Sequence, residues 1–254
     1  MSRRNVYFLS DIHLGASYIA DTHAHQRRVV DFLRSIEEDA ATVYLLGDIL
    51  DYWFEYRTVV PRGYVRFFGQ LARMADMGIE IIWFTGNHDI WLFDYLRDEI
   101  GLKVVDASGG GVWQTIGNRL FFLGHGDDFG RQPRTYKLLR AMFHNRLLQK
   151  MYSGIHPRWT IPFAHGWSSH SRKGSASESD SPAAAIEAAE AEAARLAAVN
   201  PNLRYVIIGH LHVALDVDVS SNCRLVVLGD WITGSTYAVF DGDNLRLKEF
   251  LTDV

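Results

Sequence analysis

The stretch Val43-Tyr44-Leu45-Leu46-Gly47-Asp48-Ile49-Leu50-Asp51 places a short apolar run directly before a glycine and two aspartates. Its first four residues predict a buried β-strand, and the glycine predicts the turn that ends it. Similar apolar runs stand before polar motifs at four other places, which are Val6 to Leu9, Ile81 to Phe84, Leu120 to Leu123 and Tyr205 to Ile208. We therefore predict an α/β protein with parallel strands that end in polar loops.

The motifs that follow these strands are rich in carboxylates and imidazoles. They are Asp11-Ile12-His13, Gly47-Asp48 with Asp51, Gly86-Asn87-His88-Asp89, Gly124-His125-Gly126 and Gly209-His210-Leu211-His212. Because the carboxyl ends of parallel strands lie at one edge of a sheet, we expect all five motifs to meet there. A single motif of this kind is explained equally well by a turn, a helix cap or a wet surface. Five in the same setting predict a two-metal hydrolase site.

The donor atoms of these motifs indicate which metals would bind. Carboxylate oxygens and imidazole nitrogens without thiolates suit Mn²⁺ above all and argue against a structural zinc cluster. Two neighbouring ions need a shared ligand, and Asp48 is predicted to bridge them because its motif lies in the middle of the set. Asp11 and His13 would bind the first ion together with one of the two late histidines. Asn87 and His125 would bind the second ion together with the other.

The composition fits a single folded domain. With 254 residues, of which 48% are hydrophobic, the chain can bury one large core, and we expect residues 1–254 to form one domain. The only cysteine, Cys223, excludes an intramolecular disulfide framework and is predicted to be a small buried apolar residue. We find neither an apolar leader nor a run of roughly 18 uncharged apolar residues, so we expect a cytoplasmic protein.

The order of the five motifs resembles that of the calcineurin-like metallophosphoesterases, which carry D-x-H, G-D-x-x-D, G-N-H-D/E, G-H and G-H-x-H. The resemblance extends from the first strand to beyond residue 234. It implies a two-sheet α/β sandwich flanked by helices, and an enzyme that hydrolyses phosphoric esters or pyrophosphates. It also implies that His212 binds the ion of Asp11 and His13, and that His210 binds the other ion.

His88 and Asp51 are predicted to act beside the metals. His88 follows the ligand Asn87 in a tight turn, so the two side chains should point in different directions. A non-ligand imidazole at the mouth of the site can donate to a phosphoryl oxygen or protonate the leaving group. Asp51 could hold this imidazole in the donor tautomer. An equally good interpretation makes Asp51 a carboxylate at a helix N-terminus.

Residues 129–181 are predicted to form a helical cap inserted beside the metal site. The part from Phe129 to Ser177 contains nine of the 26 basic residues and none of the 30 acidic ones. Apolar residues at helical spacing from Tyr136 to Met151 predict one basic amphipathic helix that ends near Gly154. A second, alanine-rich helix is predicted to start with Ser181 as its cap and Pro182 as its first residue, and to run to Asn200.

The cap is predicted to contact the substrate through basic side chains, which are Arg131, Arg140, Arg146, Lys150, Arg172 and Lys173. A basic and apolar cap suits an anionic lipid substrate or an anionic membrane surface. Nucleic acid would also fit the charge, but the aliphatic content favours lipid. The alternative is a structural hairpin buried on the sheet with its arginines in water, although the absence of acidic residues argues against it.

One branch of the family resembles the chain more closely, namely the bacterial UDP-2,3-diacylglucosamine diphosphatases of lipid A synthesis. The similarity lies in the length, the place of the insertion, the aromatic run Asp51-Tyr52-Trp53-Phe54 and the late motif Leu228-Gly229-Asp230-Trp231. The resemblance implies two Mn²⁺ ions and cleavage of a nucleotide-lipid pyrophosphate to UMP and 2,3-diacylglucosamine 1-phosphate. The branch typically has arginine in place of His88 and threonine in place of Leu211.

We therefore expect a hydrolase of an amphipathic nucleotide-lipid that works at the inner face of the membrane without spanning it. One alternative is a metallophosphoesterase with a soluble substrate, such as a nucleotide pyrophosphohydrolase, a cyclic nucleotide phosphodiesterase or a protein phosphatase. Another is a non-catalytic scaffold of the same fold, which degraded ligands would mark; none is degraded here. The sequence favours no particular oligomeric state.

Overall fold

The strands form two sheets. The structure, a computed structural model, describes residues 4–107, 109–130, 134–161 and 181–251, with the backbone alone for residues 134–137. The strands are β1 (Asn5–Leu9), β2 (Ala40–Leu46), β3 (Glu80–Phe84), β4 (Lys103–Val105), β5 (Val112–Ile116), β6 (Arg119–Leu123), β7 (Leu203–Ile208), β8 (Ala214–Asp218), β9 (Arg224–Leu228), β10 (Thr236–Phe240) and β11 (Leu245–Glu249). The helices are α1 (Thr22–Ser35), α2 (Val65–Asp76), α3 (Arg134–Phe143), α4 (Arg146–Ser153) and α5 (Pro182–Val199).

The first sheet has the strand order β11-β10-β1-β2-β3-β4, and the second has the order β5-β6-β7-β9-β8. In the first sheet, β1 to β4 are parallel, β10 lies antiparallel beside β1, and β11 pairs antiparallel with β10 at the edge. In the second sheet, β6, β7 and β9 are parallel, and β5 and β8 form antiparallel edges. All five strands predicted to precede the polar motifs are confirmed.

These five strands lie in both sheets, so the expectation that all their loops share the edge of one sheet was wrong. β1, β2 and β3 belong to the first sheet, whereas β6 and β7 belong to the second. After β4 the chain forms the β5–β6 hairpin, which starts a new sheet packed face to face on the first. The carboxyl ends of the parallel strands lie at the same end of this sandwich, and the motifs meet across it.

Alternate residues of β1 point to opposite faces of the first sheet, as the pleat of a strand requires. Val6 and Phe8 belong to the apolar cluster between the sheets, whereas Tyr7 and Leu9 belong to the cluster covered by α1 and α2. α5 covers the outer face of the second sheet. The result is a two-sheet α/β sandwich flanked by helices, as the family resemblance implied.

The cap contains two helices in the range where the apolar spacing predicted one, so that prediction was wrong. The helix breaks between α3 and α4 at Asn145, whose backbone is extended and whose side chain accepts hydrogen bonds from the N–H groups of Leu147 and Leu148. An asparagine side chain competes with the helical backbone for these bonds, and it caps a new helix instead. The predicted end near Gly154 is confirmed.

The alanine-rich helix α5 begins and ends as predicted. The side chain of Ser181 accepts a hydrogen bond from the N–H of Ala184, Pro182 is the first helical residue and Asn200 lies at the end. Cys223 is buried, as expected. Within the described ranges, no helix is long and apolar enough to cross a membrane.

Candidate metal centre

The polar loops of both sheets bring the predicted ligands together. Asp11, His13 and His212 offer ligand atoms that lie within 4.8 Å of one another, and so do Asp11, Asp48 and His125. These residues are far apart in sequence and come from loops of both sheets, so the cluster exists only in the folded chain.

Five of the seven predicted ligands have a left-handed backbone. Their φ angles are 51° for Asp11, 51° for His13, 54° for Asp48, 67° for His210 and 55° for His212. No other non-glycine residue in the described part of the chain has a positive φ. Such conformations are costly for residues with a Cβ and persist only where the surrounding structure enforces them. The backbone strain of this protein is therefore concentrated on the predicted ligands.

Asp11, His13 and His212 are placed to hold the first ion. Oδ2 of Asp11 accepts hydrogen bonds from Ser10 Oγ at 2.6 Å and from the N–H of His210 at 2.8 Å. Oδ1 is buried without a hydrogen-bond partner among the described residues, and it lies 3.8 Å from His13 Nε2 and 3.4 Å from His212 Nε2. A buried carboxylate oxygen that faces two imidazole nitrogens fits a divalent cation.

Asp48 lies between the two groups of ligands. Its Oδ2 is 3.8 Å from His13 Nε2 and 3.4 Å from His125 Nε2. Its Oδ1 accepts a hydrogen bond from the N–H of His88 at 2.9 Å. One carboxylate oxygen is therefore held by the protein while the other faces both groups, which is the arrangement that a bridging ligand needs.

Asn87, His125 and His210, the predicted ligands of the second ion, lie close together. His125 Nε2 lies 3.1 Å from Asn87 Oδ1, and the rings of His125 and His210 meet edge to face with centroids 5.1 Å apart. Nδ1 of His125 is 2.9 Å from the carbonyl oxygen of Leu46. Because a carbonyl only accepts, Nδ1 carries a proton, whereas Nε2 faces the oxygens of Asn87 and Asp48 and would have to be unprotonated to bind an ion.

Two glycines let the ligand loops approach this closely. A Cβ at Gly86 would overlap the carboxylate and the backbone nitrogen of Asp48. A Cβ at Gly209 would overlap the side chains of Ser10 and Asp11. Any side chain at either position would push two ligand loops apart.

The site holds its ionisable groups in unusual states of charge. Burial alone would lower the pKa of His13, but the neighbouring carboxylates outweigh burial and raise that pKa to about 9. Burial disfavours the charge of Asp48, yet the surrounding imidazoles hold its pKa well below the usual range. Burial and the nearby His125 lower the pKa of His210 to about 4. These shifts favour Asp48 as an anion and His210 as a neutral donor, whereas His13 holds a proton that a bound ion would have to displace.

His88 is held by the main chain. Its Nδ1 lies 2.9 Å from the carbonyl oxygen of Asp51 and 3.6 Å from Oδ1 of the same residue. The carbonyl only accepts, so Nδ1 carries a proton and Nε2 can donate only when the ring is a cation. Nε2 lies 3.9 Å from Asp48 Oδ2, so this charge would stand beside the bridging position.

The carboxylate of Asp51 lies between two imidazoles. Its Oδ1 is 3.6 Å from Nδ1 of His13 and 3.6 Å from Nδ1 of His88. Asp51 therefore lies beside His88 as an orienting residue would, and beside His13 as well. A proton on Nδ1, however, leaves Nε2 of the neutral His88 ring an acceptor and not the donor that we predicted. The interpretation of Asp51 as a helix N-terminal residue was wrong, because the next helix begins only at Val65.

Asp89 connects two ligand loops, a role that we did not predict. This buried carboxylate accepts hydrogen bonds from the N–H groups of Gly86 at 2.7 Å and Ile49 at 2.9 Å, and from Trp83 Nε1 at 3.1 Å. Its place in the motif Gly86-Asn87-His88-Asp89 is visible in the sequence, but its contact with Ile49, in the loop that follows β2, is not.

Asp230 supports His212, and this role too was not predicted. Its Oδ2 lies 3.4 Å from Nδ1 of His212, which leaves Nε2 of that ring directed at Asp11. Its Oδ1 accepts hydrogen bonds from the N–H groups of Ile232 at 2.9 Å and Thr233 at 2.7 Å. The signal in the sequence was the late motif Leu228-Gly229-Asp230-Trp231.

The cap packs on the loop that follows Asp51. The hydroxyl groups of Tyr152 and Tyr52 are 3.1 Å apart, and the ring of Tyr152 stacks on Trp91 with centroids 5.4 Å apart. The hydroxyl of Tyr56 is hydrogen-bonded to Thr160 Oγ1. The described part of the cap therefore rests on a ligand-bearing loop through aromatic contacts, which differs from a hairpin buried on a sheet.

The predicted substrate-binding cations are in different situations. Arg140 forms ion pairs with Asp127 at 3.4 Å and with Asp128, so it ties α3 to the loop that carries His125. Arg146 and Lys150 line a cleft of about 650 Å³ between α4 and the core. The other three, Arg131, Arg172 and Lys173, lie outside the described residues.

The cleft beside α4 is lined by apolar and basic residues, together with the acidic Glu55 and Asp106. Phe54, Ile90, Leu92, Phe93 and Val104 supply apolar surface. The basic groups come from both the cap and the core, and they are Arg57, Arg97, Arg146 and Lys150. Such a surface has the chemistry to receive an amphipathic anion.

Comparison with known proteins identifies the family. A model of the family described as calcineurin-like phosphoesterase matches residues 4–214. A UDP-2,3-diacylglucosamine hydrolase from Porphyromonas gingivalis is 38% identical over an alignment of 262 positions, which covers 97% of each chain. A protein of the same name from Serratia proteamaculans is 26% identical over 97% of this chain and 99% of its own. Among solved structures, a dimetal phosphatase from Danio rerio covers 98% of this chain and 96% of its own, with a TM-score of 0.46 and 15% identity. The chain therefore belongs to the calcineurin-like phosphoesterase family, a family of metal-binding hydrolases.

Proposed function

We propose that the protein is a dinuclear, Mn²⁺-dependent hydrolase that splits UDP-2,3-diacylglucosamine into UMP and 2,3-diacylglucosamine 1-phosphate. The observation that carries the proposal is Asp48, whose Oδ2 faces His13 on one side and His125 on the other. Oxygen and nitrogen donors without sulfur suit Mn²⁺. The similarity to the P. gingivalis hydrolase, along 97% of both chains, supports this substrate.

The seven ligands would divide between the ions as the family resemblance implies. The first ion would be held by Asp11, His13 and His212, and the second by Asn87, His125 and His210, with Asp48 shared. Two divalent ions at these positions would lower the pKa of water and neutralise charge on the phosphoryl oxygens. The orphaned Oδ1 of Asp11 supports the first position.

His88 would stabilise the charge that develops as water adds to phosphorus and the bond between the two phosphates breaks. Its Nδ1 is committed to the carbonyl oxygen of Asp51, so a donating Nε2 means a cationic ring. Arginine, which the related branch has at this position, offers the same charge. His88 would therefore act as a cationic donor to the reacting phosphate, with Asp51 orienting it.

The cap would bind the lipid part of the substrate and hold the protein at an anionic membrane surface. The cleft lined by Arg146 and Lys150 also contains apolar side chains and two further basic groups, Arg57 and Arg97. Basic side chains near an anionic surface attract it, and apolar side chains enter its outer layer. This arrangement supports a nucleotide-lipid in preference to a soluble nucleotide.

The proposal is tested by measuring UMP release from UDP-2,3-diacylglucosamine with the purified, metal-free protein to which Mn²⁺, Mg²⁺ or Zn²⁺ is added back. UDP-N-acetylglucosamine, which has the same nucleotide without acyl chains, is the control substrate. We expect rapid release from the lipid with Mn²⁺ and little from the control. Equal rates on both would favour a soluble substrate, and no hydrolysis of either would favour the scaffold.

A further inference from the structure

Helix α1 contributes no predicted ligand, yet one of its side chains reaches the loop of the first ion. His25 is buried, and its Nε2 lies 2.8 Å from the carbonyl oxygen of Ile12. Ile12 stands between Asp11 and His13, which are both left-handed. The contact from His25 therefore fixes the peptide group between Ile12 and His13, which lies between the two predicted ligands Asp11 and His13.

Arg28, one turn further along α1, determines the tautomer of His25. Its Nη2 lies 3.0 Å from His25 Nδ1 and also donates to the carbonyl oxygen of Trp231. A guanidinium only donates, so Nδ1 of His25 accepts and Nε2 carries the proton that binds the oxygen of Ile12. His25 and Arg28 thus form one chain of hydrogen bonds from α1 to two loops.

The second of these loops supports the third ligand of the first ion. The N–H of Trp231 donates to the carbonyl oxygen of Asp11 at 3.1 Å. Its neighbour Asp230 lies 3.4 Å from Nδ1 of His212. Among the described residues, neither His25 nor Arg28 has a hydrogen bond to the loops that carry Asn87 and His125.

We propose that His25 and Arg28 are positioning residues for the first ion, acting through the backbone of Asp11 and His13. A left-handed turn persists only where contacts enforce it, so loss of the contact at Ile12 lets the turn relax and moves both ligands. The second ion should lose less affinity than the first, because Asn87 and His125 lie on other loops and only its ligand His210 is hydrogen-bonded to Asp11. This inference rests on the two-ion assignment of the proposed function, but metal binding tests it without any substrate.

The test is a titration of the metal-free protein with Mn²⁺, followed by calorimetry and by electron paramagnetic resonance, which distinguishes single from coupled ions. The variants His13→Ala and His125→Ala identify which binding step belongs to which ion. For His25→Leu we expect the first ion to bind about tenfold more weakly or worse, in line with other residues that support metal ligands. The affinity of the second ion should fall less.

The conservative variant separates positioning from packing. The amide nitrogen of glutamine stands where Nε2 of histidine stands, so His25→Gln should recover most of the affinity that leucine loses. His23→Leu is the matched control, because His23 is exposed on the same helix. If His25→Leu does not fold, Arg28→Met removes the other donor with an apolar stem in place and should show the same selective loss.

Three results would overturn the inference, namely equal weakening of both ions, unchanged affinity for both, or a glutamine variant no better than leucine. A wild-type protein that binds two ions but fails to hydrolyse the lipid would reject the proposed function and leave this inference standing. Selective loss of the first ion with normal lipid hydrolysis in the wild type would support both.

Discussion

The metal centre and the cap differ in what surrounds their side chains. At the metal centre, Asp11, His13 and Asp48 are buried and each lies close to polar groups of other loops. On the cap, large apolar side chains face outward, with exposed fractions of 65% for Leu138, 68% for Leu147, 64% for Met151 and 71% for Trp159. The first region is organised by contacts within the protein, whereas the second presents apolar surface to its surroundings.

This difference predicts that the metal centre and the cap act on different parts of the substrate. A preorganised polar site acts on the reacting phosphate of any substrate, whereas an exposed apolar and basic surface acts only on partners with matching chemistry. Changes at the metal centre should therefore reduce hydrolysis of lipid and small substrates alike. Changes on the cap should affect the lipid substrate alone.

The largest effect is expected for Asp48→Asn. A neutral amide cannot hold two dications together, and the loss of several kcal/mol of charge stabilisation corresponds to a fall in kcat of about 10²-fold or more. The fall should be equal for UDP-2,3-diacylglucosamine and for bis-p-nitrophenyl phosphate. Metal analysis should show fewer than two ions per chain, and Asp76→Asn, an exposed aspartate on α2, is the control. Near-normal turnover with both metals bound would remove Asp48 from the bridging role.

The next effect is expected at His88. His88→Ala should lower kcat by roughly 10²–10⁴ with an unchanged metal content, because the cationic donor is lost while the ligands remain. His88→Arg should retain much more activity than alanine, since it restores the positive charge. Loss of metal in the alanine variant would show instead that His88 is a ligand.

A smaller effect, confined to lipid, is expected for the double change Arg146→Gln and Lys150→Gln. Each charge near an anionic surface contributes about 1 kcal/mol, so vesicle binding should weaken by up to about 30-fold and KM for the lipid should rise. Hydrolysis of bis-p-nitrophenyl phosphate should be unchanged. Salt should reproduce the effect by screening over roughly 8–10 Å. Arg140 is left intact because it is paired with Asp127 and Asp128.

The control for this pair is Arg66→Gln with Lys248→Gln, two exposed basic residues away from the cap. It removes the same charge and should leave vesicle binding within about twofold of the wild type. Equal losses in both double variants would mean that net charge alone governs membrane binding. Equal losses on lipid and small substrate would mean that the cap only supports the fold.

The smallest effect is expected for Asn145→Ala. Loss of a helix N-cap costs about 1 kcal/mol, which should accelerate amide hydrogen exchange in α4 by about fivefold. Exchange in β1 and β2 should be unchanged, since these strands do not contact Asn145. Asn145→Asp should behave as the wild type because aspartate caps equally well. Faster exchange throughout the protein would contradict the independence of the two regions.

The meeting of the predicted ligands could be foreseen from the sequence because each lies next to an apolar run, which is a local pattern. The division of the five strands between two sheets could not, since hairpin β5–β6 reverses the chain without changing the pattern of apolar residues. The contact between His88 and the carbonyl oxygen of Asp51 was also hidden. Every residue has a main-chain carbonyl group, so the sequence cannot show which of them accepts a hydrogen bond.

The supporting residues were hidden for a related reason. His25 and Asp230 contact distant loops, and although the late motif pointed to Asp230, nothing in the sequence pointed to its partner His212 or to the contact of His25 with Ile12. The break in the cap helix depended on one side chain, Asn145, which outweighed an otherwise continuous apolar stripe. Periodicity predicts which face of a helix is apolar, but a capping residue determines where the helix starts.

The close approach of the loops at Gly86 and Gly209 has a consequence for how the centre can vary. The main chains there are in van der Waals contact with the loops of Asp48 and Asp11, so the separation of the ligand loops is set by backbone thickness. Exchanging one ligand for another changes the charge and the preferred metal but leaves that separation unchanged. In the proposed two-metal centre, substitutions can therefore change which metal binds more readily than they can change the distance between the two metals.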